Sequence, residues 1–209
     1  KSIYNLANDL GVTFSFNSNI DKIITDKNKA IGVEKNNQKY LADIIVSNMD
    51  VNLTYSKLLN GFKKPRYLKN YEPSSSAIVF YWNINRSFKE LDLHNIIFSK
   101  NNYKEFDYIF NKKLMYEDPT IYICPTSKVV KDDAPEGCEN MFLLMPTAPG
   151  LSGDSEEVRE KYYHLMMDRL ESYTGESIRD RVIVKRSFAY SDFKSEYNSF
   201  KGNAYGLAN

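Results

Sequence analysis

The stretch APEGCENMFLLMPTAPGL, residues 134–151, decides how the rest of the chain is read. It opens as a turn, with Ala134, Pro135, Glu136 and Gly137. It then runs into Met141-Phe142-Leu143-Leu144-Met145 and ends in Pro146, Pro149 and Gly150. An apolar run of this length bounded by turn residues is strand material. A strand accounts for the middle but not for the apolar exit. Taken alone, residues 141–145 fit a core strand with a surface loop better than a ligand-contacting wall.

Outward from this stretch the pattern continues. Residues 76–83 (SAIVFYWN) read as a long aromatic strand, 95–99, 120–127 and 140–146 as shorter ones, and 181–190 as the last. Tyr103, Phe106, Ile109 and Phe110 have the spacing of an amphipathic helix. The clearest helix covers 154–173. Asp154 or Ser155 caps it, Val158, Tyr162, Leu165, Met166, Leu170 and Tyr173 form its apolar stripe, and Gly175 stops it. Ser191-Asp192 suit the start of a short helix over 193–197. Nearer the start, a helix over 1–10 is stopped by Gly11, and 12–16 alternate as a strand. Strands at 20–25, 30–35 and 38–41 follow, separated by hairpin turns at 26–29 and 36–37. An apolar strand at 43–48 leads to a helix that Asp50 caps and Gly61 ends. The expected class is α+β with a mixed or antiparallel sheet.

Composition narrows the function. The 209 residues suffice for one large domain or two small ones. With 28 basic against 27 acidic residues, the balance gives no electrostatic case for nucleic acid. Sixteen Tyr and twelve Phe against one Trp suit a wall that meets a large apolar or conjugated ligand. Cys124 and Cys138 read as reduced thiols of a cytoplasmic protein. His94 and His164 have no ligand-spaced neighbours, so no metal site is expected, and both read as surface or helix-face residues. No run reaches the ~18 residues of a membrane span, and no signal peptide is recognisable. The chain starts without Met inside a helix and ends on Gly206-Leu207-Ala208-Asn209, which reads as a piece of a longer protein. No residue pattern specifies an oligomeric state.

Familiar catalytic motifs are missing. The nine glycines form no GxGxxG and no GxxxxGK[ST], so the usual pyrophosphate cradle is absent. No Ser sits in a GxSxG elbow. Gly202-x-x-x-Gly206 alone is a glycine-rich loop.

A set of positions carries more. Glu117-Asp118-Pro119 precedes the strand at 120–123, and Pro125-Thr126-Ser127 follows it. Then come Ala134-Pro135-Glu136-Gly137-Cys138, the strand to Pro146, Asp192-Phe193, and Tyr197-Asn198-x-x-x-Gly202-x-x-x-Gly206. Leu10-Gly11-Val12, the meander and Ala42-Asp43-Ile44-Ile45-Val46-Ser47-Asn48-x-Asp50 stand before them. This order resembles the bacterial-type phytoene desaturases, within the flavin-dependent carotenoid desaturases, isomerases and retinol saturases of the amine-oxidase-like superfamily. The resemblance covers nearly the whole chain. The family's GxGxxG region would lie upstream of Lys1 and its second flavin segment beyond Asn209. The apolar exit often holds a His after the proline in this family. Here it reads Ala148-Pro149-Gly150-Leu151, which leaves the substrate end group open.

The resemblance implies an FAD-dependent oxidoreductase that desaturates a carotenoid-type hydrocarbon taken from a membrane surface. A hydride passes to the flavin and a proton leaves the neighbouring carbon. The isolated piece is expected to be inactive. Residues 1–60 would belong to the FAD-binding domain, 61–190 to the substrate domain and 191–209 to a return segment. Asp118 matches a proposed acid/base position, although an Asp-Pro turn explains it equally well. Ile20, by position, and Asn198, Gly202 and Gly206 would contact the cofactor. Phe142, Leu144, Pro146 and Leu151 would form the tunnel or its mouth. Isomerase relatives leave the direction of reaction unfixed. A competing reading is a non-catalytic module that binds a lipophilic ligand or a membrane surface.

Overall fold

Two asparagine-bearing turns shape the first part of the chain. Lys27 and Asn28, then Asn36 and Asn37, all have positive φ. That is the geometry of the tight two-residue hairpin, and asparagine tolerates it best after glycine. The turns join β1 (Lys22–Asp26), β2 (Lys29–Lys35) and β3 (Gln38–Leu41) into an antiparallel meander. Gly32 of β2 could carry no side chain, since a Cβ would lie 2.3 Å from the Tyr40 carbonyl oxygen.

The computed structural model of the protein describes residues 2–151 and 153–207. Lys1, Ala208 and Asn209, the ends of the expected domain ranges, lie outside the described residues. The chain divides into two compact units, Lys1–Pro65 and Arg66–Asn209. The first contains α1 (Ser2–Asp9), the meander and α2 (Val51–Leu53), which runs on into a π-helical turn, Thr54–Leu58. Asp50 caps α2 as expected, accepting from the N–H groups of Asn52 and Leu53. Two expected strands of this unit do not form. Residues 12–16 and 43–48 join no ladder: the sheet ends at β1 and β3, and neither segment pairs with those edges. Phe14 and Phe16 stack with each other and with Tyr4 instead. Ile44 and Val46 are 80% and 85% exposed.

The second unit is built on a five-stranded sheet in the order β5-β6-β7-β4-β8. Its strands are β4 (Ser76–Ile84), β5 (Asn95–Ile97), β6 (Ile121–Cys124), β7 (Glu139–Thr147) and β8 (Val182–Phe188). Every described strand pair is antiparallel, so the class is α+β with no parallel pairing. Between β5 and β6, α3 (Asn102–Phe106) runs into a second π-helical turn, Asp107–Lys112. The change to i→i+5 bonding breaks the expected stripe. Ile109 is buried, while Tyr103 and Phe106 face solvent.

β4 and β7 pair without a break from Ser76↔Thr147 to Ile84↔Glu139. Strand alternation sends Ile78, Phe80, Trp82 and Ile84, with Met141, Leu143 and Met145, to one face. Helix α4 (Glu156–Thr174) covers that face with Tyr162, Tyr163, Met166, Met167 and Leu170. The covered stripe is broader than the spacing suggested: Tyr163 and Met167 join it, and Tyr173 is left exposed. Gly175 closes α4 in the left-handed conformation. Ser155 alone caps its start.

Asp154 is used elsewhere. Its carboxylate accepts from the N–H and hydroxyl of Ser191 and from Arg159. Arg159 also pairs with Asp192 at 2.8 Å and donates to Ser187. Asp192 does not start the short helix but holds it from inside: it sits in the first turn of α5 (Tyr190–Glu196) and accepts from the Ala189 N–H. Burial pushes the Asp154 pKa up, but the bonds from Ser191 and Arg159 outweigh it, and the net shift is downward.

Two outcomes are expected. Leu143→Ala empties a core site and should cost about 2–5 kcal/mol in denaturant unfolding, whereas Leu144→Ala, on the less covered face, should cost clearly less. The folded pKa of Asp154 lies below the ordinary aspartate value, so its stabilisation is complete above the unfolded value of about 3.9 and disappears as pH falls through the lower folded value. Thermal melts between pH 6 and pH 2.5 should therefore fall less steeply for Asp154→Asn than for the parent.

Candidate functional site

The second face of the sheet is only partly covered: Ile96 and Tyr81 are exposed and Tyr122, Phe142 and Leu144 half-buried, while Val79 is buried and Phe188 lies under α5. Cross-strand partners line up as one row from edge to edge: Ile96, Tyr122, Leu144, Val79 and Phe188. Five strands at ~4.8 Å spacing make this row roughly 19 Å long. A second row, Cys124, Phe142, Tyr81 and Arg186, runs beside it. The rings interlock, with Phe142 5.7 Å from Tyr81 and 6.1 Å from Tyr122. Such edge-on aromatic contacts give a firm, flat floor.

The two ends of the floor differ. At the β5 edge His94 Nδ1 and the Tyr122 hydroxyl lie 2.6 Å apart. A hydrogen bond with Cys124, then burial, raise the Tyr122 pKa, so the phenol keeps its proton at neutral pH. At the β8 edge, α5 and the residues after it rise beside the sheet. Phe188, Phe193 and Tyr197 pack edge to face, with Phe188 4.8 Å from Phe193. Between them and the floor lies a cavity of ≈ 430 Å³, walled by Val79, Tyr81, Phe142, Leu144 and Tyr205 among others.

The expected site residues separate into groups. Phe142 and Leu144 lie together on the floor, with Tyr197, Ser199, Ala204 and Tyr205 across the cavity. Pro146 faces a second cavity of ≈ 220 Å³, shared with Phe98, Phe106, Ile109 and Phe110. Leu151 is half-buried, and the apolar exit ahead of it is packed away: Thr147, Ala148 and Pro149 are buried, and the Gly150 N–H donates to the Lys201 carbonyl. Asp118 is not with them. It accepts from the Lys100 N–H at 2.8 Å and pairs with Arg169 of α4 at 3.3 Å. Arg169 also donates to the carbonyls of Pro119 and Phe98. Ile20 belongs to the first unit, where it is partly exposed.

The glycines near the end of the chain test the fit of a flat cofactor ring. A Cβ on Gly202 would lie 2.3 Å from the Tyr190 ring, so that space is already taken by this chain's own aromatic. Gly206 has φ +84° and nothing within 4 Å of a Cβ, while its N–H donates to Asn203 Oδ1 and its carbonyl accepts from the Ser74 N–H. Asn198 is exposed with φ 49°. Gly206 leaves room at its Cα for a flat ring, and Gly202 does not. Among the described residues no group of three or more His, Cys, Asp or Glu could hold a metal ion, and no helix is long and apolar enough to cross a membrane.

Sequence reasoning missed Tyr81, Tyr122 and Phe188. Strand alternation carried the signal for Tyr81, which flanks the inward Phe80 and Trp82. The joining of Tyr122 to Leu144 and of Val79 to Phe188 needed the strand order, which no local pattern holds.

No protein-family model matches the chain. Over 208 residues it is 38% identical to the 1-hydroxycarotenoid 3,4-desaturase of Flavobacterium sp., covering 100% of this chain and 43% of that protein. It is 30% identical over 206 residues to the carotenoid 3,4-desaturase of Haloarcula japonica, covering 97% and 41%. It is also 30% identical over 207 residues to the 4,4'-diaponeurosporene oxygenase of Staphylococcus aureus, again covering 97% and 41%. A crystal structure of an oxidoreductase from Methanosarcina mazei superposes with a TM-score of 0.61 at 13% identity, over 90% of this chain and 40% of that one, which speaks for a shared fold. The chain thus spans less than half the length of the curated relatives it matches. By sequence and fold it belongs to the carotenoid desaturase-like oxidoreductases, as a segment of them.

Proposed function

We propose that the chain is the polyene-binding part of an FAD-dependent carotenoid desaturase, which introduces a C=C bond into a long hydrocarbon taken from a membrane surface. The observation that carries this reading is the apolar row from Ile96 to Phe188, exposed at Ile96 and half-buried along most of its length, with a cavity and aromatic walls at its β8 end. A row roughly 19 Å long is of a length to support an extended conjugated segment. The two free thiols, Cys124 and Cys138, suit a cytoplasmic location.

The chain's residues bind and orient. Val79, Phe142 and Leu144 offer an apolar floor, and Tyr81 and Tyr122 press ring faces and edges on a polyene, which fixes its direction and excludes water. FAD would supply the hydride acceptor, and the side-chain-free Cα of Gly206 leaves room for a ring beside it. Asn198 and Ile20 remain candidates for its edge, and Gly202 acts through Tyr190 packing. Asp118, committed to Lys100 and Arg169, works as a positioning residue for the turn that leads into β6 and Tyr122.

Leu144→Asp in the intact protein should weaken polyene binding about tenfold or more, because a carboxylate on the floor loses an apolar contact and must be desolvated. The readout is polyene retained per folded protein, with product formation measured in parallel. Unchanged retention would remove the floor from the binding site. Asp118→Asn should lower the melting temperature while leaving turnover per folded molecule within about threefold and its pH profile unmoved; an acid/base would lose about 10²–10⁴-fold instead.

A further inference from the structure

The segment between β5 and β6 carries apolar side chains where solvent would not select them. Tyr103 is 92% exposed, and Phe98 and Phe106 are 63% and 58% exposed. Tyr103 and Phe106 stand one helical turn apart on α3. Phe106 stacks on Phe110 at 5.9 Å, and both line the ≈ 220 Å³ cavity with Phe98. That cavity ends on Pro146 of β7, so its far wall is the sheet that carries the polyene floor.

Lysines ring this apolar patch. Lys100, Lys104, Lys112 and Lys113 fall within fourteen residues of sequence, against Glu105 and Asp107. Glu105 does not offset them at the surface: it is buried, and its two oxygens accept from the N–H and hydroxyl of Thr120. Asp107 is taken by Lys112 at 2.9 Å. Lys100 and Lys104 remain exposed beside Tyr103. Lys113 lies 6.0 Å from the Phe110 ring and 3.9 Å from Glu72, so among the described residues Lys100 and Lys104 are the ammonium groups of the rim without a carboxylate pair. Exposed aromatics within a rim of ammonium groups match an anionic bilayer, with rings at the headgroup level and charges on the phosphates.

We propose that α3 and the π-helical turn after it are the membrane-docking surface of this protein, with an anionic bilayer as the occupant, and that the cavity behind Phe106 is the passage by which a membrane-dissolved ligand reaches the sheet. The proposal rests on the reading of the ligand as a membrane-held polyene. The docking surface itself is readable without turnover.

The experiment is co-sedimentation of the intact protein with vesicles of neutral phosphatidylcholine, alone or with about 30% phosphatidylglycerol to supply a negative surface potential. The parent should partition onto the anionic vesicles and more weakly onto the neutral ones. Lys100→Gln/Lys104→Gln should lose about 30-fold on the anionic vesicles and little on the neutral ones, at roughly fivefold per lysine. Tyr103→Ser should lose on both. These side chains are exposed, so unchanged melting temperatures serve as the folding control. If the parent sediments with vesicles and both variants follow it unchanged, docking lies elsewhere on the protein and this assignment fails, while polyene retention in detergent still tests the functional reading separately. If the parent ignores both vesicle types yet retains polyene, the docking surface is refuted and the polyene reading stands.

Discussion

The fold depends on the unbroken register between β4 and β7. Each strand is apolar along nearly its full length, so neither declares an inside and an outside by composition. The pairing of Ile78 with Met145 and of Val79 with Leu144 does so. A slip of one residue would exchange every side chain between the core and the open face. With the register set, Phe80, Trp82, Met141 and Leu143 become a floor for α4, and Tyr81 and Phe142 turn to the other face, where they line a cavity with Phe193, Tyr197 and Tyr205. One register therefore writes both the core and the candidate site.

Helix α4 does more than close the core. Its two arginines reach past the sheet edges in opposite directions. Arg159 gathers residues 187–192 through Asp154, Ser187, Ser191 and Asp192. Arg169 gathers residues 98–119 through Asp118 and the carbonyls of Phe98 and Pro119. These are the segments that flank the open face. Charge-assisted hydrogen bonds to backbone and carboxylate are directional where apolar packing is not. The flanks of an apolar groove are thus positioned by polar clamps anchored on the opposite side of the sheet.

What the sequence revealed follows from which forces are local. The turns at Lys27-Asn28 and Asn36-Asn37, the glycine stop after Thr174 and the strand character of residues 141–145 are properties of a few adjacent residues, and all were legible. Phe142, Leu144 and Pro146 are alternate residues and could be seen to share a face. The strands expected at 12–16 and 43–48 failed because a ladder needs a partner, and periodicity does not supply one. Asp118 beside a proline looked like either a turn or an acid; Arg169, fifty-one residues later, is what occupies it. Gly202 suggested a close approach, and there is one, but the ring is Tyr190 of the same chain. Local chemistry was readable, whereas partners distant in sequence were not.

The order of the sheet has a consequence for how the chain is made. β4 carries a long unbroken apolar run, Ala77 to Trp82, and lies between β7 and β8, both of which come later in the sequence. At 5–20 residues per second, β4 waits roughly 3–12 s after Ile84 is added before Glu139 to Thr147 can pair with it. During that interval SAIVFYW has two open edges and no gatekeeping charge. The stretch that later seats the core is, while the ribosome is still at work, the part of the nascent chain most in need of a chaperone.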